Sequence, residues 1–493
     1  MLDTDVVIVG CGPTGATLAN LLGSRGVNTL VLEKEPQPYA LPRAVHFDDE
    51  VMRVMQSVGI ASELVKKIRV NPGMRFVDEK SSLLLDWPRP MEKSGNGWHP
   101  SYRFHQPDLE SLLRKQLGQH SSVQVRLSAE VLTVSNHADG CELTWINRAG
   151  NSGDSVNSVR AQYVVGCDGA NSAIRQALKI DWIDLGFHQR WLVVDVLLKK
   201  PRPDLGDVTI QHCEPSRPIT YVRCPENRRR WEMTVLEHES SEEVRQPESV
   251  WSLLSRWITP EEADIERAAV YTFQSTLASK WLVGRCLLAG DAAHLTPPFM
   301  GQGMCGGIRD VANLAWKLIE CVKQQHSQHL LQSYQYERYP HMQKFIQTAM
   351  SLGSLISNTD SRDALQQALT SGEGNAKMRS LNMPIVSSLA AGSSQHQGQL
   401  CLQPSIRGTL IDDRVGYAPV VLVEEALLEE YVVPSGTTSP RLISSKEDSS
   451  IESLLADLQT RAIYVRPDRY ILGTASTWEE LDSLVNFNAQ TAP

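Results

Sequence analysis

Three stretches of this chain end an apolar run in glycine and a single carboxylate, a combination suited to a flat, charged ligand. In the first, Gly10, Gly12 and Gly15 give GxGxxG, with Pro13 and Thr14 inside the motif and Glu33 eighteen residues after Gly15. Glycines at that spacing let a pyrophosphate approach the start of a helix, whose free N–H groups and dipole favour negative charge. Glu33, with Lys34 beside it, stands where an acid accepts hydrogen bonds from ribose hydroxyls. The second stretch carries Asp168 before Gly169. The third, LLAGDAAHLTPPFMGQGMCGG, runs from Leu287 to Gly307; Asp291 follows Gly290, and then come Pro298, Gly301, Gly303, Met304 and Cys305. So many backbone-permissive residues around one aspartate read as main chain laid against a ligand. The GxGxxG motif by itself suits FAD and NAD equally.

The elements that must hold these residues are readable from periodicity. Val6 to Val9 is a continuous β-branched run, as in a parallel strand buried on both faces, and Thr29 to Leu32 is a second. Between them Ala16, Leu18, Ala19, Leu21 and Leu22 predict an amphipathic helix. YVVGCDGANSAIR, from Tyr163 to Arg175, is a strand followed by a helix start with Ser172 as its cap. After Asp291 a long helix carries Ile308, Val311, Ala315, Leu318 and Val322 as an apolar stripe. From 181 to 272 the pattern changes to alternating strands, which predict an antiparallel sheet; Tyr221, Trp231 and Met233 are its candidates for an aromatic pocket. SSLAAGSSQHQGQ, from Ser387 to Gln399, reads as a linker, and PSGTTSPRLISSKEDSS, 434–450, as a mobile surface loop.

Composition narrows the function classes. With 493 residues, 41% of them apolar and 21% charged, the chain is an ordinary globular protein of several domains. A net charge of −9 argues against a nucleic-acid partner or an anionic membrane surface. No apolar stretch approaches the roughly 18 residues of a membrane span. Nine cysteines without CxxC spacing argue against a disulfide framework or a zinc site, so no metal is expected. With no basic region before the first strand-like run, they are expected to place the protein in the reducing cytoplasm.

Taken together, the three acid-bearing strand ends resemble the FAD-dependent aromatic-ring hydroxylases, most of all the branch acting on 3-(3-hydroxyphenyl)propionate. The similarity extends over PRA…DDE…MQSVG at 42–59, CEPSRP…RRWEM at 213–233, AGDAAH…GQGM…RD…NLAWKL and the tail VRPDRYILGTA at 465–475. It implies an α/β fold in which a Rossmann-like FAD domain is split into 1–180 and 273–350. A substrate-covering antiparallel sheet at 181–272 is inserted, a helical or linker segment at 351–397 follows, and a redox-inactive thioredoxin-like α/β module at 398–493 ends the chain. It also implies that Asp291 holds the ribityl chain, that main chain from Pro298 to Cys305 lines the flavin ring, and that Asp168, Arg43 and Gln106 contact the cofactor. Cys305 departs from the asparagine common there, and His46 replaces a smaller residue.

The implied activity is a hydroxylation next to an existing phenol hydroxyl, through a flavin C4a-hydroperoxide, with NADH favoured over NADPH and O2 as co-substrate. A 3-(3-hydroxyphenyl)propionate-like acid is the leading substrate. A larger aromatic or polyketide, or an epoxidase, halogenase or reductase reaction, is the alternative. His46 and His212 are candidate proton relays for the phenol. Arg190, Arg217 and Arg223 are candidates to meet a substrate carboxylate, because a planar guanidinium pairs two oxygens. The C-terminal module is expected to serve packing or a homodimer.

Overall fold

Strand Thr4–Val9 is apolar because it lies inside an eight-stranded sheet. Thr29–Leu32 pairs with it in parallel on one side and Asn157–Gly166 on the other, and Cys286–Leu288 lies parallel beyond that. Three parallel neighbours release their chains at the same sheet edge, so the turns at Gly10, Asp168 and Asp291 meet there. They meet tightly. Gly10 has a φ of +97°, and a methyl group on it would lie 2.5 Å from the Cys167 carbonyl oxygen. Helix Pro13–Gly23 leaves the first turn and packs against helix Gly303–Gln324, where a methyl on Gly307 would lie 2.5 Å from Thr14 Oγ1. The predicted stripe on the latter helix faces the core: Ile308, Val311, Ala315 and Leu318 are fully buried. This computed structural model describes residues 2–148, 156–324, 328–358, 383–387, 389, 392–393, 395–431 and 440–487.

A second eight-stranded sheet stands over that edge. Two long strands, Trp182–Leu198 and Ala263–Ala278, form its spine, and Arg228–Thr234, Ile219–Arg223 and Thr209–His212 extend it antiparallel. Two strands from far upstream, Gly73–Val77 and Leu83–Pro88, lie at one edge, where Gly73–Val77 joins Thr209–His212 in parallel, and the short strand His294–Leu295 pairs with Ala263–Ala278 at the other. The strands expected at 181–272 pair antiparallel throughout, and the one parallel junction is made with strands that arrive from a different part of the chain. One face of the sheet is covered by helix Pro247–Leu254 with Leu192, Val194, Tyr221, Trp231 and Met233. The other face looks towards the glycine-rich turns.

The C-terminal residues form a four-stranded sheet in the order Arg441–Ser444, Val420–Val423, Ala462–Val465, Ile471–Ala475. The first pair is parallel and the other two are antiparallel. The loop expected at 434–450 is corrected here: Arg441–Ser444 is an edge strand and Ser449 opens helix Ser449–Asp457, capped by Asp448. Its serines serve as caps and turns, and 434–439 lie outside the described residues. The linker expected at 387–399 is only partly described; within it Ser393 bridges to Thr474.

Candidate active site

The shared sheet edge presents an uncapped helix and open space. Helix Pro13–Gly23 begins after Gly12 with no side-chain cap, so its first N–H groups await an acceptor. A Cβ on Gly12 or on Gly303 would meet no protein atom within 4 Å. Those two glycines front a void, whereas Gly10, Gly15 and Gly307 are small because other main chain or Thr14 presses on them. Glu33 is buried at the end of its strand, accepting from the N–H of Cys11 at 2.6 Å with one oxygen and from that of Glu35 at 2.9 Å with the other. Lys34 beside it is exposed. Asp168 accepts from Ile174 N at 3.2 Å through Oδ2, while Oδ1 is buried without a partner; burial raises its pKa. Asp291 is exposed at the foot of the concavity. Incomplete hydration raises its pKa, which the neighbouring His294 and Arg43 oppose. A diphosphate-linked cofactor such as FAD suits this donor set: uncapped N–H groups, a carboxylate at the ribose position, an orphaned acid and two glycines that leave room.

The turn Pro298–Met300 and the Gly301–Cys305 segment are shaped from behind. Gly301 has a φ of +61°, and a methyl there would lie 2.9 Å from His46 Nδ1. His46 is thus a strut beneath the turn. Its Nε2 lies 2.8 Å from Ser101 Oγ, its Nδ1 3.4 Å from the Gly301 oxygen, and Asn71 Nδ2 donates to Ser101 Oγ at 2.9 Å. The direction of this chain follows from its far end. Asn71 Oδ1 accepts from Gly73 N, so its NH2 donates to Ser101; the Ser101 hydroxyl donates to Nε2, and Nδ1–H points to Gly301. Burial, with the charges of Arg89 and Arg103, pushes the His46 pKa down to about 3, so the ring is neutral near pH 7. His46, expected as a proton relay, is placed as a support of the Gly301 turn, with its hydrogen-bond chain ending in the Asn71 amide. Cys305 is turned inward, its thiol directed to the His46 and Gly301 oxygens, so only its main chain faces the open side.

A buried acid ties the aspartate turn to the helices. Asp310 Oδ2 accepts from Gly290 N and lies 2.6 Å from His294 Nε2, and Oδ1 accepts from Arg338 Nε at 3.0 Å. Burial alone would raise its pKa; His294 and Arg338 bring it below the usual carboxylate range. On the opposite wall Arg230 pairs with Asp195 at 2.7 Å and donates to the Arg43 oxygen at 2.6 Å, holding the second sheet to the Pro42–Arg43 segment. Gln106 accepts from Ala44 N at 2.7 Å and steadies the same segment, leaving the Arg43 guanidinium exposed over the Tyr39 ring.

Several expected substrate residues lie elsewhere. Trp231 and Tyr221 are fully enclosed, 5.2 Å apart, on the sheet face beneath helix Pro247–Leu254. Strand alternation sends them away from Arg230, which faces the cofactor side. His212 shares their face and packs on Trp257 at 5.3 Å. Arg217 is paired with Glu239 at 2.5 Å, Arg190 donates to the Leu236 and Glu239 oxygens, and Arg223 engages Asp207 and the Glu226 oxygen. These three arginines close loops of the second sheet. Sequence reasoning passed over Ser101, Asn71, Asp310, Arg338, Arg89 and Arg103. The only available signal was the RD pair after GQGM, since the rest are brought in by strands, turns and a helix from distant parts of the chain. Among the described residues no group of His, Cys, Asp and Glu is arranged to hold a metal ion, and no helix is long and apolar enough to cross a membrane.

Residues 3–349 match the family model described as FAD binding domain. The chain is 36% identical over 502 residues to a probable NADH-specific resorcinol 4-hydroxylase of Rhodococcus jostii (strain RHA1), covering 97% of this chain and 93% of that protein. It is 32% identical over 513 residues to a 3-(3-hydroxy-phenyl)propionate/3-hydroxycinnamic acid hydroxylase of Burkholderia cenocepacia (strain HI2424), covering 95% and 93%. The fold is similar to that of aklavinone-11 hydroxylase, with a TM-score of 0.77, 20% identity and 98% of each chain covered. It is likewise similar to the flavin-dependent monooxygenase PieE, with a TM-score of 0.80, 18% identity and 98% of each chain covered.

Proposed function

The chain belongs to the FAD-dependent aromatic hydroxylases, and from that premise we propose that it uses NADH and O2 to hydroxylate a single-ring phenol at the carbon next to an existing hydroxyl. The observation that carries this reading is the meeting of four parallel strand ends at one open edge, which brings the glycines after Val9 together with Glu33, Asp168 and Asp291. Bound FAD supplies the redox chemistry, taking reducing equivalents from NADH and delivering one oxygen atom of O2 to the ring. The protein's part is to hold and to enclose. The uncapped start of helix Pro13–Gly23 takes the diphosphate, Glu33 the adenosine ribose and Asp291 the ribityl chain. Main chain at Gly303 and Met304, at the start of the long helix, would favour negative charge on a flavin held there. His46, through Ser101 and Asn71, keeps the Gly301 turn in shape.

The second sheet covers the reacting ring and limits water there. NADH as donor rests on the resorcinol hydroxylase relative, and a cytoplasmic setting on the free, mostly buried thiols. Two substrates follow from the relatives, 3-(3-hydroxyphenyl)propionate and resorcinol. The test is direct: purified protein carrying flavin is offered each phenol with NADH under air. Phenol-stimulated NADH oxidation with a product one oxygen atom heavier supports the reading. NADH oxidation that no phenol stimulates, with no hydroxylated product, overturns it.

A further inference from the structure

His46 and Arg103 are direct cross-strand partners in the small sheet formed by His46–Asp48, Ser101–Arg103 and Arg69–Val70. Such partners project from one face with Cβ atoms about 5 Å apart. Arg103 therefore stands beside the ring that supports the Gly301 turn. Its guanidinium reaches across to Thr209 Oγ1, on the sheet face that looks at the cofactor side. Arg89 follows strand Leu83–Pro88, and its charge, like that of Arg103, is felt at His46.

Neither arginine makes an ion pair among the described residues, and the acid whose charge reaches Arg103, Glu232, lies 3.5 Å from Arg230. Both are half-buried, and the contrast with the fully buried guanidiniums is sharp: Arg53 faces Asp412 at 2.8 Å, Arg230 faces Asp195 at 2.7 Å, Arg309 faces Asp48 at 2.6 Å and Arg466 faces Glu337 at 2.9 Å. Arg103 has one hydroxyl, and the Arg89 Nε is shut from solvent with no partner. The acids whose charge reaches Arg89 are already engaged. Asp48 holds Arg309 and the Val51 N–H, and Asp49 holds Ser94, Asn96 and the Glu50 N–H. Burial lowers both arginines to about 10, with the charge of Arg103 adding at Arg89 and that of Arg230 at Arg103, which leaves both charged at neutral pH. Two half-buried like charges with no ion pair of their own leave guanidinium donors available to a bound anion.

We propose that Arg89 and Arg103 form the oxyanion-recognition end of the substrate site, so that the substrate is a phenol presenting a negatively charged oxygen to them. This rests on the hydroxylase reading above. The oxygen has two possible sources, a side-chain carboxylate or the ionised ring hydroxyl, and guanidinium forks recognise both.

Calorimetric titration of the FAD-loaded full chain, without NADH, separates the sources with three probes: 3-phenylpropionate, resorcinol and 3-(3-hydroxyphenyl)propionate. If the carboxylate is the ligand, Arg89→Gln weakens the two propionates at least tenfold and leaves resorcinol within twofold. If the ring oxygen is the ligand, Arg89→Gln weakens the two phenols and leaves 3-phenylpropionate within twofold. The proposal is overturned if wild type binds none of the probes. It is equally overturned if Arg89→Gln and Arg103→Gln, each with full flavin content, bind all three as wild type does. Should Arg103→Gln lose flavin, Arg89→Gln decides alone, because its side chain makes no hydrogen bond to the described protein. Product formation is scored separately. Arginine-dependent binding without product removes the hydroxylase reading and keeps the anion site; product with unchanged binding does the reverse.

Discussion

Glu33 does two things at once, and its two oxygens divide the work. One closes the glycine loop through Cys11 N and the other the strand exit through Glu35 N, so the carboxylate is already aimed when a ribose arrives. Glu33→Ala should weaken FAD binding by about 1–3 kcal/mol, read by flavin fluorescence during titration; an unchanged dissociation constant would contradict the role. His46 gives a pH prediction. Its pKa is about 3 in the fold against 6.5 when free, so the unfolded chain binds the extra proton between those values. Stability is then full above about pH 6.5 and is lost as pH falls towards 3. Wild type should lose up to ~1.4 kcal/mol per pH unit more than His46→Gln across that window. Parallel urea-midpoint curves for the two proteins between pH 6.5 and pH 4 would rule this out.

Asp310 links three pieces of the fold: the Gly290 turn, the helix on which it sits, and helix Gln328–Asn358 through Arg338. Asp310→Ala strands an enclosed guanidinium and should cost about 3–5 kcal/mol, with flavin released earlier than the bulk unfolds; simultaneous loss of flavin and structure at the wild-type midpoint would refute it. The elements themselves were readable in advance wherever periodicity was strong. Val6–Val9 and the Ile308–Leu318 stripe needed no partner to be recognised. What sequence could not supply was facing. Trp231 and Arg230 are consecutive, and only the register with Trp182–Leu198 tells which one looks at the cofactor. The same holds for Arg103, whose pairing with His46 depends on strands that are 55 residues apart at Ser101 and His46. The stretch 441–450 read as a loop because its serines carry no hydrophobic period, although they cap real structure.

Across the whole molecule, the C-terminal sheet is fastened to the cofactor-binding part by enclosed charges. Arg466 pairs with Glu337 at 2.9 Å and with Asp468, Lys317 approaches Glu337 at 2.8 Å, and Arg53 reaches Asp412. Burial opposes ionisation of Glu337, yet Arg466 and Lys317 hold it down to about 2. Arg466→Met should therefore lower stability by about 3–5 kcal/mol and make the C-terminal sheet the first site of proteolytic cleavage; a digestion pattern identical to wild type would argue against the clasp. Thr14 makes a different kind of join. Its hydroxyl is wedged where Gly290 and Gly307 leave no room for a methyl, so the N-terminal loop takes its final form only against chain made much later. During synthesis on the ribosome, the flavin pocket is therefore unfinished until the segment through Gly307 has emerged, and a nascent chain halted before that point should leave the exit tunnel colourless.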